Sequence, residues 1–272
     1  MRHAARTPHP RSTPSFPRGG NTAMDIEMDI GTEFRDVDYA AAYPPGYELH
    51  YWHLARSDIV KRLVRSACQK GDTILEIGAG RGHYVRVLRA DGFDVFGCDL
   101  GVASVHEEVQ AFIFRGRDFA DLDVTLRERV TTILLLDVLE HIEQPSDFIV
   151  SVLRALPAIQ RMIITVPARP ELWSNYDEHY RHFVRYDIRT LHEMLGRSGL
   201  SVDTCGYFFH TLYGPAWLLK RIGVDRRISF AAPKPAWLHK LLGIAFSFES
   251  RLLPKGVYGT SLACICRPVV QR

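Results

Sequence analysis

The chain has 272 residues, 46% hydrophobic and 24% charged, with a formal net charge of +3. That composition suits a folded globule with a sizeable core. A charge this small gives no argument for a nucleic-acid partner, and no nucleic-acid-reading motif is present. No apolar run reaches the roughly 18 residues of a membrane-spanning helix.

The first 23 residues carry Arg2, Arg6, Arg11 and Arg18, no acid, and no apolar core of a secretory signal. They read as a disordered tail, or as sequence upstream of a start at Met24 or Met28. An acidic, weakly patterned lead-in follows to Asp38, so 1–38 is expected to lie outside a single folded domain spanning 39–272. The five cysteines, Cys68, Cys98, Cys205, Cys264 and Cys266, form no CxxC pair. An odd number without zinc spacing predicts free thiols in a reducing, cytoplasmic setting and no metal site.

Tyr43-Pro44-Pro45-Gly46-Tyr47 is a turn. From Glu48 to Ala67, Trp52, Ile59, Leu63 and Ala67 recur at helical steps, and Gly71 ends that helix. Thr73 to Ile77 is a short buried strand. Gly78, Gly80 and Gly82 then let the chain turn sharply and a ligand lie against the backbone. Helical spacing resumes at Tyr84, Val87 and Leu88. Strand, glycine turn and helix together make the ligand-binding corner of an open α/β sheet.

Asp94 to Asp99 reads as a second strand, Val102 to Gln110 as a short helix and Ala111 to Phe114 as a third strand. Val130 to Leu136 is a continuous apolar strand of the kind buried on both faces. Pro145 opens a helix to Leu156, and Arg161 to Val166 is the fifth strand. A polar, aromatic loop follows from Ala168 to Tyr186. Asp187 caps a helix to Arg197 that Gly199 stops, and Leu200 to Phe208 and Val257 to Cys266 are the last strands. The alternation predicts a doubly wound, seven-stranded, mostly parallel sheet. A helical insert, 213–255, separates the last two strands, because a connection that long holds structure of its own.

A dinucleotide corner calls for G-x-G-x-x-G, but here the third glycine stands at 82 and His83 takes its place. Glu76-Ile77-Gly78-Ala79-Gly80-Arg81-Gly82 instead resembles the first motif of class I S-adenosylmethionine-dependent methyltransferases. Asp99 ends the second strand, Asp118-Phe119 follows the third, and Leu136 to His141 is similar to that family's fourth-strand motif. Glu48, Trp52 and Arg56 resemble the helix that precedes the glycine motif in many members, and Gly259 to Leu262 resembles the last strand. The resemblance covers roughly Glu48 to Arg267 and implies a Rossmann-like, doubly wound, seven-stranded, mostly parallel sheet with an antiparallel last strand. It implies S-adenosylmethionine as cofactor, held by Glu76, Gly78, Ala79, Gly80, Gly82, Asp99, Leu100, Asp118, Phe119, Asp137 and Val138. The loop from Leu172 to Asp187 resembles that of members acting on small molecules, lipids or glycans, which implies a small-molecule, lipid-linked or glycan acceptor. It places Tyr176, Asp177, His179 and Tyr186 about that acceptor.

Methyl transfer to a hydroxyl is an in-line displacement in which a base takes the acceptor's proton. His141 and His182 are the candidate bases, because imidazole is the base poised at neutral pH. An NAD(P)-dependent oxidoreductase, or a cofactor-binding protein without catalysis, are the alternatives. The insert carries eight Lys or Arg against two acids, Asp225 and Glu249, interleaved with Trp217, Phe230, Trp237, Phe246 and Phe248. Leu238, Leu241, Leu242, Ala245 and Phe246 share a helical face. Two readings stand: a helical cap over the acceptor pocket, or peripheral contact of 213–255 with a membrane. Oligomeric state is not legible in the sequence.

Overall fold

The computed structural model describes residues 44–226 and 234–269. The expected tail at 1–38, Tyr43 of the predicted turn, and Arg227 and Phe230 of the insert lie outside the described residues.

Seven strands form one sheet: β1 (Thr73–Ile77), β2 (Asp94–Asp99), β3 (Ile113–Arg115), β4 (Val130–Leu136), β5 (Arg161–Pro167), β6 (Leu200–Phe208) and β7 (Ser261–Pro268). Their order is β3-β2-β1-β4-β5-β7-β6. The first five pair in parallel, and β7 runs antiparallel between β5 and β6. The helices are α1 (Tyr51–Ala67), α2 (His83–Ala90), α3 (Val124–Arg129), α4 (Pro145–Ala155), α5 (Asn175–His179), α6 (Ile188–Arg197), α7 (His210–Arg221) and α8 (Ala236–Leu252). β1 is buried along its whole length, as a parallel strand covered on both faces must be. One apolar layer packs Leu75, Ile133, Leu135 and Ile164 against Ile149, Val152 and Leu191. The other packs Ile74, Leu134 and Ile163 against Val60, Val64, Val85 and Leu88.

The chain runs outward from β1 through β2 and β3, then returns to β4 on the other side. The switch in direction therefore falls between β1 and β4, where open α/β sheets leave a crevice beyond the strand ends.

Several expectations are corrected. The stretch 102–110 is not an α-helix. The His106 amide is drawn to the Arg81 carbonyl at 3.0 Å, and a tight 3₁₀ segment, Glu107–Phe112, takes the rest. Because that segment consumes Ala111 and Phe112, β3 begins only at Ile113. The helix α3 was not anticipated; Asp123 starts it by accepting the Thr125 amide at 2.9 Å. The last strand starts at Ser261 rather than Val257. A Cβ on Gly259 would stand 2.3 Å from the Phe208 carbonyl oxygen, so the chain can enter the sheet beside β6 only with glycine there. Free thiols hold for Cys68, Cys98 and Cys266. Cys205 and Cys264 face each other across β6 and β7 with Cα atoms 4.2 Å apart and are disulfide-bonded.

Candidate active site

A cavity of about 550 Å³ opens beyond the carboxyl ends of β1, β2, β3 and β4, a size that suits a cofactor or drug-sized ligand. Its walls include Glu76, Gly78, Ala79, Gly80, Asp99, Leu100, Asp118, Phe119, Asp137, Val138, His141, Tyr176 and His182. The topology thus gathers on one surface most of the positions singled out in the sequence. Gly82 is outside the wall: it caps α2, and a Cβ there would meet Ile113 at 3.0 Å.

The corner is tied to the end of β2. The Gly78 and Ala79 amides both donate to the Cys98 carbonyl, at 2.9 and 3.1 Å. Asp99 accepts the Gly80 amide at 2.7 Å and the Gly101 amide at 2.8 Å. These two backbone bonds orient the carboxylate toward the cavity. Gly78 holds φ +76°, and a Cβ there would lie 2.8 Å from Val138 Cγ2. Only glycine therefore fits beside Val138, and the corner's backbone forms part of the cavity wall. The residues fit S-adenosylmethionine: a glycine corner on the cavity wall, a pre-oriented Asp99, and Glu76, 2% exposed with Oε2 lacking a hydrogen-bond partner among the described residues.

Beneath the cavity runs a buried polar network. Arg56, 5% exposed, donates to the Tyr84 hydroxyl at 2.5 Å and to Thr165 Oγ1 at 2.7 Å. It also pairs with Asp137 Oδ2 at 2.9 Å. Thr165 in turn donates to Asp137 Oδ1 at 3.0 Å. Asp137 sits at φ +59°, a region Asp tolerates better than most residues.

At the far end two loops meet. The Phe183 amide donates to the Glu140 carbonyl at 2.7 Å, and the His141 and His182 rings stand edge to face at 4.7 Å. His182 Nδ1 lies 2.9 Å from Asp177 Oδ1. The same oxygen accepts Arg185 Nε at 2.7 Å, while Arg185 Nη1 reaches the Ala168 carbonyl at 3.0 Å. Burial works to raise the Asp177 pKa, but the hydrogen bonds and charges of His182 and Arg185 outweigh it and hold it at about 2. An ionised carboxylate only accepts, so Nδ1 carries a proton and Nε2 is the ring nitrogen directed away from Asp177. Burial, with His182 alongside, pushes the His141 pKa down to about 4.

Three of the acceptor-side expectations are placed elsewhere. Asp177 is fully buried and caps α5 by accepting the Ser174 amide at 2.9 Å; its reach ends at His182. Tyr186 lies in the core, its backbone bridging Pro167 and Arg169. His179 is exposed at the end of α5 and outside the cavity wall. Tyr176 does line the cavity, with Arg226 5.0 Å over its ring. Arg185 and Arg226 were missed as site residues. The R-Y-D run held a signal for Arg185, whereas Arg226 is fixed by Asn175, 51 positions away, through paired bonds of 2.9 Å.

Glu140, His141 and His182 each offer a ligand atom within 4.8 Å of the others. This trio could take either an acceptor's proton or a divalent cation. A second such group, His192 with Cys205 and Cys264, is pre-empted by the disulfide.

Residues 50–204 match a family described as "Methyltransferase domain". A ubiquinone biosynthesis O-methyltransferase of Roseobacter denitrificans is 26% identical over 189 residues, covering 61% of this chain and 75% of the relative. A putative methyltransferase, solved in complex with the Haloferax volcanii Trm112 methyltransferase activator, superposes with TM-score 0.52 at 17% identity, covering 87% of this chain and 97% of that one. A Haemonchus contortus phosphoethanolamine N-methyltransferase 2 bound to S-adenosyl-L-methionine gives TM-score 0.50 at 15% identity over 86% of this chain. The chain spans 53% and 57% of the two Haemonchus contortus chains it matches. The structural likenesses carry the fold.

Proposed function

Because this chain belongs to the methyltransferase domain family, we propose that His182 takes the proton from a hydroxyl of a small-molecule acceptor as that oxygen receives the methyl group. The enzyme is an S-adenosylmethionine-dependent methyltransferase, which sets aside the oxidoreductase alternative and the reading without catalysis. Bound S-adenosylmethionine supplies an electrophilic methyl carbon on a positively charged sulfur. With the cofactor held at the glycine corner and Asp99, His182 Nε2 would take the acceptor hydroxyl's proton as that oxygen is methylated. Asp177 steadies the imidazolium that results, as a buried carboxylate does for a histidine base. The glycine corner and Asp99 orient the donor, and Tyr176 and Tyr180 flank the acceptor end.

One observation carries this reading: a cavity-lining His182 whose Nδ1 is anchored by a buried carboxylate. His141, with its pKa pushed down to about 4 by burial, is a poor proton acceptor at neutral pH. The cavity's aromatic walls and the apolar Leu212 and Leu219 suit an aromatic hydroxyl compound with a hydrophobic tail. The O-methyltransferase activity of the ubiquinone-biosynthesis relative supports the same reading.

His182→Gln should lower kcat by about 10²–10⁴-fold with S-adenosylmethionine affinity kept, and Asp177→Asn should lower kcat by less. EDTA should leave turnover intact. Unchanged turnover in His182→Gln contradicts the assignment. Activity abolished by EDTA and restored by Mg²⁺ would instead make Glu140, His141 and His182 a cation site.

A further inference from the structure

We propose that the outer faces of α7 and α8 dock on the surface of a bilayer carrying anionic lipid, with α7 as the wall shared by that surface and the cavity. The proposal gives the apolar acceptor of the preceding section its route, but its test does not depend on that acceptor.

In α8, Trp237, Leu241, Ile244, Phe248 and Leu252 recur every three or four residues and so form one stripe. These side chains are 64, 55, 59, 55 and 66% exposed. The opposite side, which meets α1, holds Gly243, Ser247 and Ser250 together with Phe246, whose ring lies 5.2 Å from that of Tyr51; the larger apolar stripe is the outward one. A Cβ on Gly243 would stand 2.8 Å from Leu54 Cβ. Arg62 Nη2 donates to Ser250 Oγ at 2.6 Å and to the Ser247 carbonyl at 3.2 Å, and the Ser247 hydroxyl bonds Asp58. A helix at the surface of a globular protein has the reverse arrangement, apolar side inward. In α7, Leu212, Pro215, Ala216 and Leu219 line the cavity, while Trp217, Leu218 and Ile222 just beyond its end are 40, 53 and 61% exposed. Leu219 is both a lining residue and 38% exposed. Nine large apolar side chains on and just beyond two neighbouring helices exceed the scattered exposure expected of a free surface.

Charge selects the occupant. Lys220, Arg221, Lys234, Lys240 and Lys255 are exposed around these faces and make no ion pair with a described acid. Of the insert's two acids, Glu249 is held by the His210 amide and the Thr211 hydroxyl. A second copy of the chain on this face would bring the same bases against each other. An anionic surface meets an apolar stripe with Trp and Phe and a basic fringe, the two features that hold an interfacial helix. Among the described residues no helix is long and apolar enough to cross a membrane, so these helices would lie on it.

The full chain is floated with vesicles of phosphatidylcholine, with and without phosphatidylglycerol, at low and high salt. Binding to the phosphatidylglycerol vesicles at low salt, weakened by salt, is expected. Trp237→Glu with Ile244→Glu should lower partitioning about tenfold or more. Lys220→Glu with Lys240→Glu should remove the preference for anionic lipid. None of the four lines the cavity, so calorimetric titration with S-adenosylmethionine should be unchanged in both pairs. That titration is the check on folding. If the first pair fails it, Trp237→Ser with Phe248→Ser replaces it. No flotation at low salt, or variants that float like the parent, overturns the proposal. So does a dimer in sedimentation that the Trp237 variant splits while no vesicle binding occurs. Failure of the His182 test leaves these outcomes untouched, and failure here leaves the His182 assignment standing.

Discussion

Glu76 closes β1 at 2% exposure with Oε2 unpartnered. Burial raises its pKa to about 8, with Arg56 opposing and Asp99 adding to the shift. This carboxyl is therefore neutral at pH 7 in the free protein. Because the folded value lies above the ordinary one, its share of stability is full below about pH 4. That share is lost as the pH rises through about 8. A ligand that brings positive charge beside it, such as the ammonium of S-adenosylmethionine, draws the proton off. Binding should then release a proton near pH 7, and affinity should rise with pH and level off above about 8. Calorimetry in two buffers of different ionisation enthalpy measures this; no buffer dependence, or one that persists in Glu76→Gln, contradicts it. At this scale the sequence was legible in placement: Gly78 and Gly80 in the corner, Asp99 and Asp137 at strand ends, and His141 and His182 in the loops after β4 and β5 all reach the cavity wall. The burial of Asp177 and the contacts of Arg185 and Glu140 were not legible, because they come from two loops some 40 positions apart touching at Phe183 and Glu140.

The glycine corner is the element that most narrowly limits substitution. At φ +76° a side chain on residue 78 strains the backbone by about 1–2 kcal/mol, and its Cβ meets Val138 at 2.8 Å. Gly78→Ala should lower the melting temperature and weaken S-adenosylmethionine binding tenfold or more. A variant with parental melting and affinity would show the cradle is not where the ligand rests. Strand spans were readable because runs such as Val130 to Leu136 are apolar without interruption. Short connections were not: whether 102–112 forms an α-helix or a 3₁₀ turn depends on the Arg81 carbonyl capturing the His106 amide. The two helices of the insert were foreseeable from its length. Which side of α8 faces protein was not, because periodicity identifies an apolar stripe without saying what covers it. Ser247, Ser250 and Gly243 decide that by matching Asp58, Arg62 and Leu54 on α1.

Across the molecule, the reversal of strand order between β1 and β4 sets both halves of the site on one rim. The corner, Asp99 and Asp118 fall on the side of β1, β2 and β3. The loops after β4 and β5 bring His141, His182 and Tyr176 to the other. The arm from β6 to β7 closes over them: α7 lines the cavity, and Arg226 beyond it is pinned to Asn175. The division between a legible donor side and a less legible acceptor side follows from this layout. The donor side lies on consecutive strand ends, each next to its own motif, whereas the acceptor side is assembled from loops and an insert whose partners are distant in sequence. The account rests on the corner holding S-adenosylmethionine in the orientation Asp99 sets. Isothermal titration of the full chain with S-adenosylmethionine, S-adenosylhomocysteine and NAD, repeated on Asp99→Ala, tests that directly. Binding of the first two at a single site, none of NAD, and a loss of at least tenfold in Asp99→Ala are predicted. Binding of NAD, or of S-adenosylmethionine with equal affinity in Asp99→Ala, would contradict it.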